Sequence, residues 1–558
     1  MKVNNKTEQI VSFIIFLVSL IFSYIFGELY YNSIDGTDFY RYFQYIEYFE
    51  GSSEETGLEQ GLFYFMIVSN FIEFSQNYYL PDKWEFIYST AIQFCNFILY
   101  LVGLLGLYLY LVSKKINKSL IFLSFSALNF FPPLFGGRII MKPEILAFCF
   151  LPWILLSIDS FLKNNDTKFL VFASPLLAIL ATSKATMAFL ILSTLVYLYY
   201  DHFSIIWKKE LILPFLIFAT LFSSLYFENL NINKISMLFH PELEQYLFKA
   251  PLSFIYNINF NELFFNPYRN THSNSLIGIT LIDLFGDYFN RYWDHPRSIF
   301  SLNRVDSNFL PHPRRNLSLI MSIIFVILTL FYKRDKFNKY TKVYLIGIFV
   351  LALTSLGTFG LHFNPEKGDT VKTHYYFYLL SVSFVFLIIK LLSKKKFILQ
   401  VVLISLLIVA SLFIFGFPKN FDSDINKKIE AKVPTTVTCL ITSNYFENSI
   451  GVKINCLNKF TATCGDYESY AMPETHPDGY LIFQNDDFFQ PLNLRDSAGY
   501  TITVNGYAEC LNYVEGGYYR NTFKYNEDRS SLINIICLYL SLTSLFLILI
   551  MSTKTRQY

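Results

Sequence analysis

Charge is what this chain has least of. Asp, Glu, Lys and Arg make up only 16% of its 558 residues, where a soluble domain carries about 25%. Apolar residues supply 53%, in runs of roughly 17 to 25, each long enough for a hydrocarbon core of about 30 Å. A water-soluble fold could not hide so many. Walker and dinucleotide-binding glycine patterns are absent, as is any nucleic-acid-binding patch, which excludes those classes. The seven cysteines include no Cys-x-x-Cys pair, which speaks against zinc. No internal repeat is visible and the ionisable residues gather at span ends, which speaks against a secondary transporter.

What is present is a series of apolar segments. They predict a mainly α fold, a polytopic membrane bundle of about 12 transmembrane helices with a small extracytoplasmic β-rich domain near the C-terminus. Spans are expected near 10–29, 86–112, 119–135, 141–162, 168–182, 186–200, 211–227, 317–332, 343–360, 374–392, 397–416 and 532–552. The pair 168–182 and 186–200 is short, fit for a tight hairpin or a re-entrant element. The first segment, Ile10 to Tyr30, lacks a small-x-small cleavage site and reads as an uncleaved helix.

Basic residues in the short connections set the orientation. Lys2 and Lys6, Lys114, Lys115 and Lys118, Lys163 and Lys168, Lys208 and Lys209, Arg334 to Lys342, Lys394 to Lys396, and Lys554 with Arg556 all fall on one side if the spans alternate. Both termini are then expected in the cytoplasm, in a bacterial inner (plasma) membrane. The opposite side receives loops 30–85, 228–316 and 361–373 and the stretch 417–531. The expected division is a catalytic module over 1–416, a β-rich domain over 417–531, and a final helix and tail over 532–558. In the first loop, Phe39 to Phe49 and Gly61 to Phe74 read as interfacial helices. The segments beginning at Thr435 and Gly499 alternate at period two, as strands do. Cys439, Cys456, Cys464 and Cys510 fall in this outer domain and suggest disulfides, with three pairings open. Cys95, Cys149 and Cys537 fall within spans.

Ionisable groups beside hydrocarbon are costly, so those at the outer boundary are the candidates for chemistry. Asp35 and Asp38 stand three apart before an amphipathic helix. Asp38 caps that helix, or a carboxylate here acts as a general base on an acceptor hydroxyl. Arg138, Lys142 and Glu144 crowd a helix start marked by Pro143. Glu144 complements the helix dipole, or the cations and helix end form an anion site. Lys184 lies in a very short turn, where it snorkels to headgroups or joins that site. Lys372 and His374 enter a helix start from outside and again suit a phosphate. Asp283, Asp287 and Asp294 lie in an aromatic stretch that forms an interfacial helix or an acceptor surface.

Together these residues resemble the GT-C superfamily of integral membrane glycosyltransferases. Asp38-Phe-Tyr-Arg-Tyr is similar to an Asp-Glu-x-Arg-Tyr element of the aminoarabinose transferase branch. Lys142-Pro-Glu is similar to the Arg-Pro-Glu of mannosyltransferase branches, and Lys372-Thr-His-Tyr-Tyr to a basic-aromatic segment before a late helix. The resemblance implies a sugar donor on a polyprenyl phosphate and a glycan, lipid or protein acceptor on the outer face. It also implies Asp38 as base, with Asp35 its rival, and inversion at the anomeric carbon. Arg138, Lys142, Glu144, Lys184, Lys372 and His374 then serve the donor phosphate, and Asp283 and Asp287 the acceptor side. Phe39 stands where the branch has Glu, which speaks against a paired-carboxylate or metal-assisted mechanism; a divalent metal is the one cofactor left open. No Trp-Trp-Asp motif occurs, which speaks against an oligosaccharyltransferase. A surface-polysaccharide polymerase or ligase and a non-enzymatic multi-pass transporter are the rival classes.

Overall fold

The computed structural model describes residues 5–31, 33, 39–51, 53–76, 84–202, 209–235, 250–265, 272, 274–286, 312–332, 335, 337–356, 373–415, 526, 529 and 531–554, with six strands between 433 and 511. Its described part is mostly helical.

Five helices open the chain: α1 (Asn5–Tyr30), α2 (Phe39–Glu50), α3 (Leu62–Gln76), α4 (Trp84–Ser113) and α5 (Lys118–Leu128). Then come α6 (Pro132–Ile139), α7 (Ile145–Asn164), α8 (Lys168–Ser183), α9 (Ala185–Tyr199) and α10 (Ile212–Asn233). In the second half lie α11 (Leu276–Asp283), α12 (His312–Phe331), α13 (Tyr344–Leu356), α14 (Phe377–Leu392), α15 (Phe397–Phe415) and α16 (Leu532–Lys554). The expected interfacial segments of the first loop are α2 and α3.

A helix occurs at every place where a span is expected, but not every helix is long enough. Seven are long and apolar enough to cross a membrane, or eight if α5 and α6 form one span bent by 62°. The bend follows from Pro132 and Pro133 at the start of α6, which remove backbone donors and clash with the preceding turn. Of the other expected spans, the helices α8, α9, α13 and α14 have 16, 15, 13 and 16 residues among the described residues. At about 1.5 Å rise per residue they reach roughly 20–24 Å, less than a hydrocarbon core. The short lengths of α8 and α9 are those expected of that pair. These apolar helices make the chain a multi-pass membrane protein.

The tightest helix pair is α4 with α7. A Cβ on Gly103 would lie 2.5 Å from the Phe148 carbonyl oxygen, and one on Gly106 2.5 Å from Trp153 Nε1. Small residues three apart thus let the two backbones approach, and Trp153 Nε1 donates to the Val102 carbonyl at 3.0 Å.

Polar contacts gather at the two ends of the bundle. At one end Lys114 pairs with Asp159 and donates to the Tyr340 hydroxyl at 2.9 Å, while Tyr199 donates to Asp159 at 2.9 Å. Lys339 donates to the Leu198 carbonyl at 2.8 Å, and Lys390 lies 3.4 Å from Asp335. This end gathers the basic connections. Burial presses the Lys114 pKa down, but the adjacent Asp159 carboxylate and Tyr340 outweigh it and hold it above the usual lysine value. At the other end the first loop is sewn to the helix ends: Gly61 N–H donates to the Ser183 carbonyl at 2.9 Å and Asn233 to the Gln60 carbonyl at 2.7 Å. Asn526 N–H meets the Phe49 carbonyl at 2.8 Å.

The strands are β1 (Val433–Ser443), β2 (Lys453–Cys456), β3 (Ala471–Met472), β4 (His476–Pro477), β5 (Tyr480–Phe483) and β6 (Thr501–Leu511). Four pair in the order β2-β1-β6-β5, antiparallel throughout. Most of the remaining stretch 417–531 lies outside the described residues. So do Cys464 and the side chains of Cys439, Cys456 and Cys510, although the backbone register sets Cys439 opposite Cys456. The expectation of disulfides gains no support: the described cysteines, Cys95, Cys149 and Cys537, are buried and free.

Candidate active site

Glu144 is the residue on which the candidate group converges. It occupies the N-cap position of α7, behind Pro143, yet its side chain makes no capping hydrogen bond to that helix. Its Oε1 accepts a hydrogen bond from Lys184 Nζ at 2.8 Å and lies 3.9 Å from His374 Nε2. Glu144 is 1% exposed and His374 2% exposed. Placing a carboxylate this deep is costly unless it is paired, and Lys184 supplies the pairing.

Lys184 is the single residue between α8 and α9, extended at φ −163° and ψ 136°. Its side chain is 11% exposed and its ammonium sits 4.5 Å from the centre of the Tyr375 ring. It therefore turns inward and does not snorkel. A cation over a ring face, largely removed from water, is favourable. His374 and Tyr375 come from the short 3-10 turn Thr373–Tyr375 that leads into α14. Tyr378, fully buried on α14, lies within electrostatic reach of Glu144.

Lys142 stands two residues before Glu144, buried, with its ammonium 5.3 Å from the centre of the Tyr42 ring. Tyr42 belongs to α2, the helix that begins one residue after Asp38. The first loop is thus packed directly against this group. Gly61 is needed for that packing, because a Cβ there would lie 2.4 Å from the Thr182 carbonyl oxygen, just ahead of Lys184.

The segment before Lys142 is held by Asn96 of α4. Its Nδ2 donates to the carbonyls of Arg138 at 2.9 Å and Ile140 at 2.7 Å, and its Oδ1 accepts from the Tyr64 hydroxyl at 2.9 Å. Arg138 is directed elsewhere. Its guanidinium donates to the Ser23 carbonyl at 3.0 Å, and its carbon lies 5.0 Å from the Tyr100 ring centre and 5.2 Å from that of Phe135. It ties α6 to α1 and is not among the partners of Glu144.

Of the other expected residues, Asp283 ends α11, and its carbonyl accepts from Thr373 Oγ1 at 3.3 Å, so that helix end rests on the turn bearing His374. Asp35, Asp38, Lys372 and Asp287 lie outside the described residues. Among the described residues no three His, Cys, Asp or Glu side chains come together as metal ligands.

The sequence reading missed Asn96 and Tyr378, and it gave no role to Tyr42 and Tyr375, which stand in the quoted motifs at Asp38 and Lys372. A usable signal existed for the first: Asn96, with Gln93 one turn before it, is polar inside an otherwise apolar span, a position that demands an internal partner. Tyr378 gave none, since 41 tyrosines occur in the chain.

A buried lysine and a buried histidine facing one carboxylate at the end of a membrane bundle, with Lys142 beside them, make a site suited to an anionic group beside a bilayer. Residues 87–227, roughly a quarter of the chain, match the model of the dolichyl-phosphate-mannose-protein mannosyltransferase family, a GT-C-type glycosyltransferase family. The match supports a membrane glycosyltransferase of the GT-C type. The matched stretch runs through most of α4 to α10, holds Asn96, Arg138, Lys142, Glu144 and Lys184, and ends before His374. No curated protein and no solved structure matches the chain.

Proposed function

We propose that this protein moves a sugar from a polyprenyl-phosphate carrier to an acceptor at the bundle end opposite the basic connections, the extracytoplasmic face. The observation that carries the reading is the convergence of Lys184 and His374 on Glu144, with Lys142 two residues away. Three distant parts of the chain meet there, inside the protein and at a bundle end. The name of the matched family speaks of a lipid-phosphate mannose donor, and only the lipid-phosphate sugar class is carried over here.

Each residue has a role in this reading. The lipid tail stays in the bilayer while Lys142, Lys184, His374 and Lys372 face the phosphate. An acceptor oxygen attacks the anomeric carbon, Asp38 takes its proton, and the electron pair of the breaking bond goes to the phosphate oxygen. Configuration is inverted. The phosphodiester departs as a monoester with one more negative charge, and fixed cations stabilise that charge as it develops. Glu144 keeps Lys184 in place, and Arg138 holds α1, from which the Asp35–Asp38 segment emerges. Asp283 and Asp287 lie on the acceptor side.

The test is transfer from defined polyprenyl-phosphate sugars in membranes carrying the protein. Asp38→Asn keeps the shape and removes the base, and the expected loss is about 10²- to 10⁴-fold in rate with insertion unchanged. Asp35→Asn is the control. A dead Asp35 variant beside an active Asp38 variant moves the base by one helical turn, and two fully active variants end the glycosyltransferase reading.

A further inference from the structure

Two polar atoms of this group have no hydrogen-bond partner among the described residues: the second carboxylate oxygen of Glu144, Oε2, and the hydroxyl of Tyr378, which lies four residues beyond His374 and within electrostatic reach of Glu144. Both belong to residues almost wholly removed from solvent, Glu144 at 1% and Tyr378 at 0% exposure. A buried carboxylate oxygen and a buried phenol are each costly to leave unbonded. They come from different elements, the N-cap of α7 and the first turn of α14, and they do not bond each other. A pair formed of one strong acceptor and one group that both donates and accepts matches the bonding capacity of an alcohol.

We propose that Glu144 Oε2 and the Tyr378 hydroxyl together receive the hydroxyl next to the anomeric carbon of the donor sugar. This rests on the glycosyltransferase reading above and narrows its substrate class to donors with a free hydroxyl at that carbon. The placement follows from shared partners. Oε1 of the same carboxylate holds Lys184, which faces the donor phosphate, and the neighbouring sugar hydroxyl is the group nearest to an anomeric phosphate. Hydrogen bonds to that hydroxyl strengthen as positive charge builds on the sugar ring, so the pair favours the transition state over the bound donor. A bulky acetamido group at the same carbon does not suit a pair buried this deeply, and a carboxylate there meets the Glu144 charge.

The experiment compares wild type and Tyr378→Phe on a polyprenyl-phosphate hexose and on its 2-deoxy counterpart, in membranes containing the full chain. On the hydroxylated donor Tyr378→Phe is expected to lower kcat/KM about tenfold, the effect of roughly one hydrogen bond. On the 2-deoxy donor the two proteins are expected to match. An equal penalty on both donors overturns the hydroxyl assignment and leaves the transferase intact. Absence of transfer from every donor overturns the transferase reading itself. If Tyr378→Phe does not insert, Glu144→Gln is compared on the same two donors with rates taken per inserted molecule; weakening its hold on Lys184 lowers both rates, but the penalty must be larger on the hydroxylated donor, and an equal penalty overturns the assignment.

Discussion

The two ends of the helix bundle treat buried charge in opposite ways. At the basic end the buried Lys390 faces Asp335, and the half-buried Lys114 and Lys339 have Asp159 with the Tyr340 hydroxyl, and the Leu198 carbonyl, respectively. That end is a lock, closed by its own side chains. At the other end Lys184 Nζ and, at 3.9 Å, His374 Nε2 both face the Glu144 carboxylate, whose second oxygen stays unbonded among the described residues. Burying charge costs several kcal/mol per ion wherever it is done. The first end offsets that cost within the protein, whereas the second leaves part of it to be met by what binds.

Substitutions that separate stability from transfer test this contrast. The largest effect is expected from Lys184→Met, which strands the Glu144 carboxylate and destabilises the protein by about 3–5 kcal/mol. Adding Glu144→Met restores thermal stability without restoring transfer, as a denaturation curve beside an activity assay would report. Recovery of transfer in the double variant would place Lys184 in the lock class. A smaller effect is expected for Gly61→Ala, about 1–3 kcal/mol from forcing a methyl against the Thr182 carbonyl. Because that push bears on the seam beside Lys184, KM for the donor should rise as well. The smallest is Lys114→Met at the basic end, about 1 kcal/mol for a partly exposed pair. Turnover per folded molecule should stay at the wild-type value, and a changed donor KM would contradict the division of labour between the ends.

Much of this architecture is legible in the sequence because it depends on local pattern. Apolar runs located every long helix, and the alternating lysines anticipated which connections would gather at one end. Glu144, Lys184 and His374 could be nominated as charged residues where charge is expensive. Direction was not legible. Arg138 and Lys142 are four residues apart, yet one turns into an aromatic cage against α1 and the other toward Tyr42. The backbone between them is held by Asn96, a side chain from another helix. Lys184 admitted a snorkelling reading because its counter-charge lies 40 residues away. The short α8 and α9 were legible as a short pair, because Lys184 interrupts their apolar run.

The one-residue joint at Lys184 also bears on how the protein enters the bilayer. With no loop between them, α8 and α9 cannot be threaded one after the other and must go in as a single hairpin with the lysine at its tip. In this topology the tip has to travel from the basic side to the far side, carrying an ammonium through hydrocarbon at about 2.5–3.5 kcal/mol on insertion scales. In a chain made from its N-terminus, α7 is already inserted when the hairpin emerges, and Glu144 waits at the destination. Biogenesis of the hairpin thus draws on the same carboxylate that later orders the site, so loss of Glu144 should reduce the amount of protein delivered to the membrane as well as its turnover.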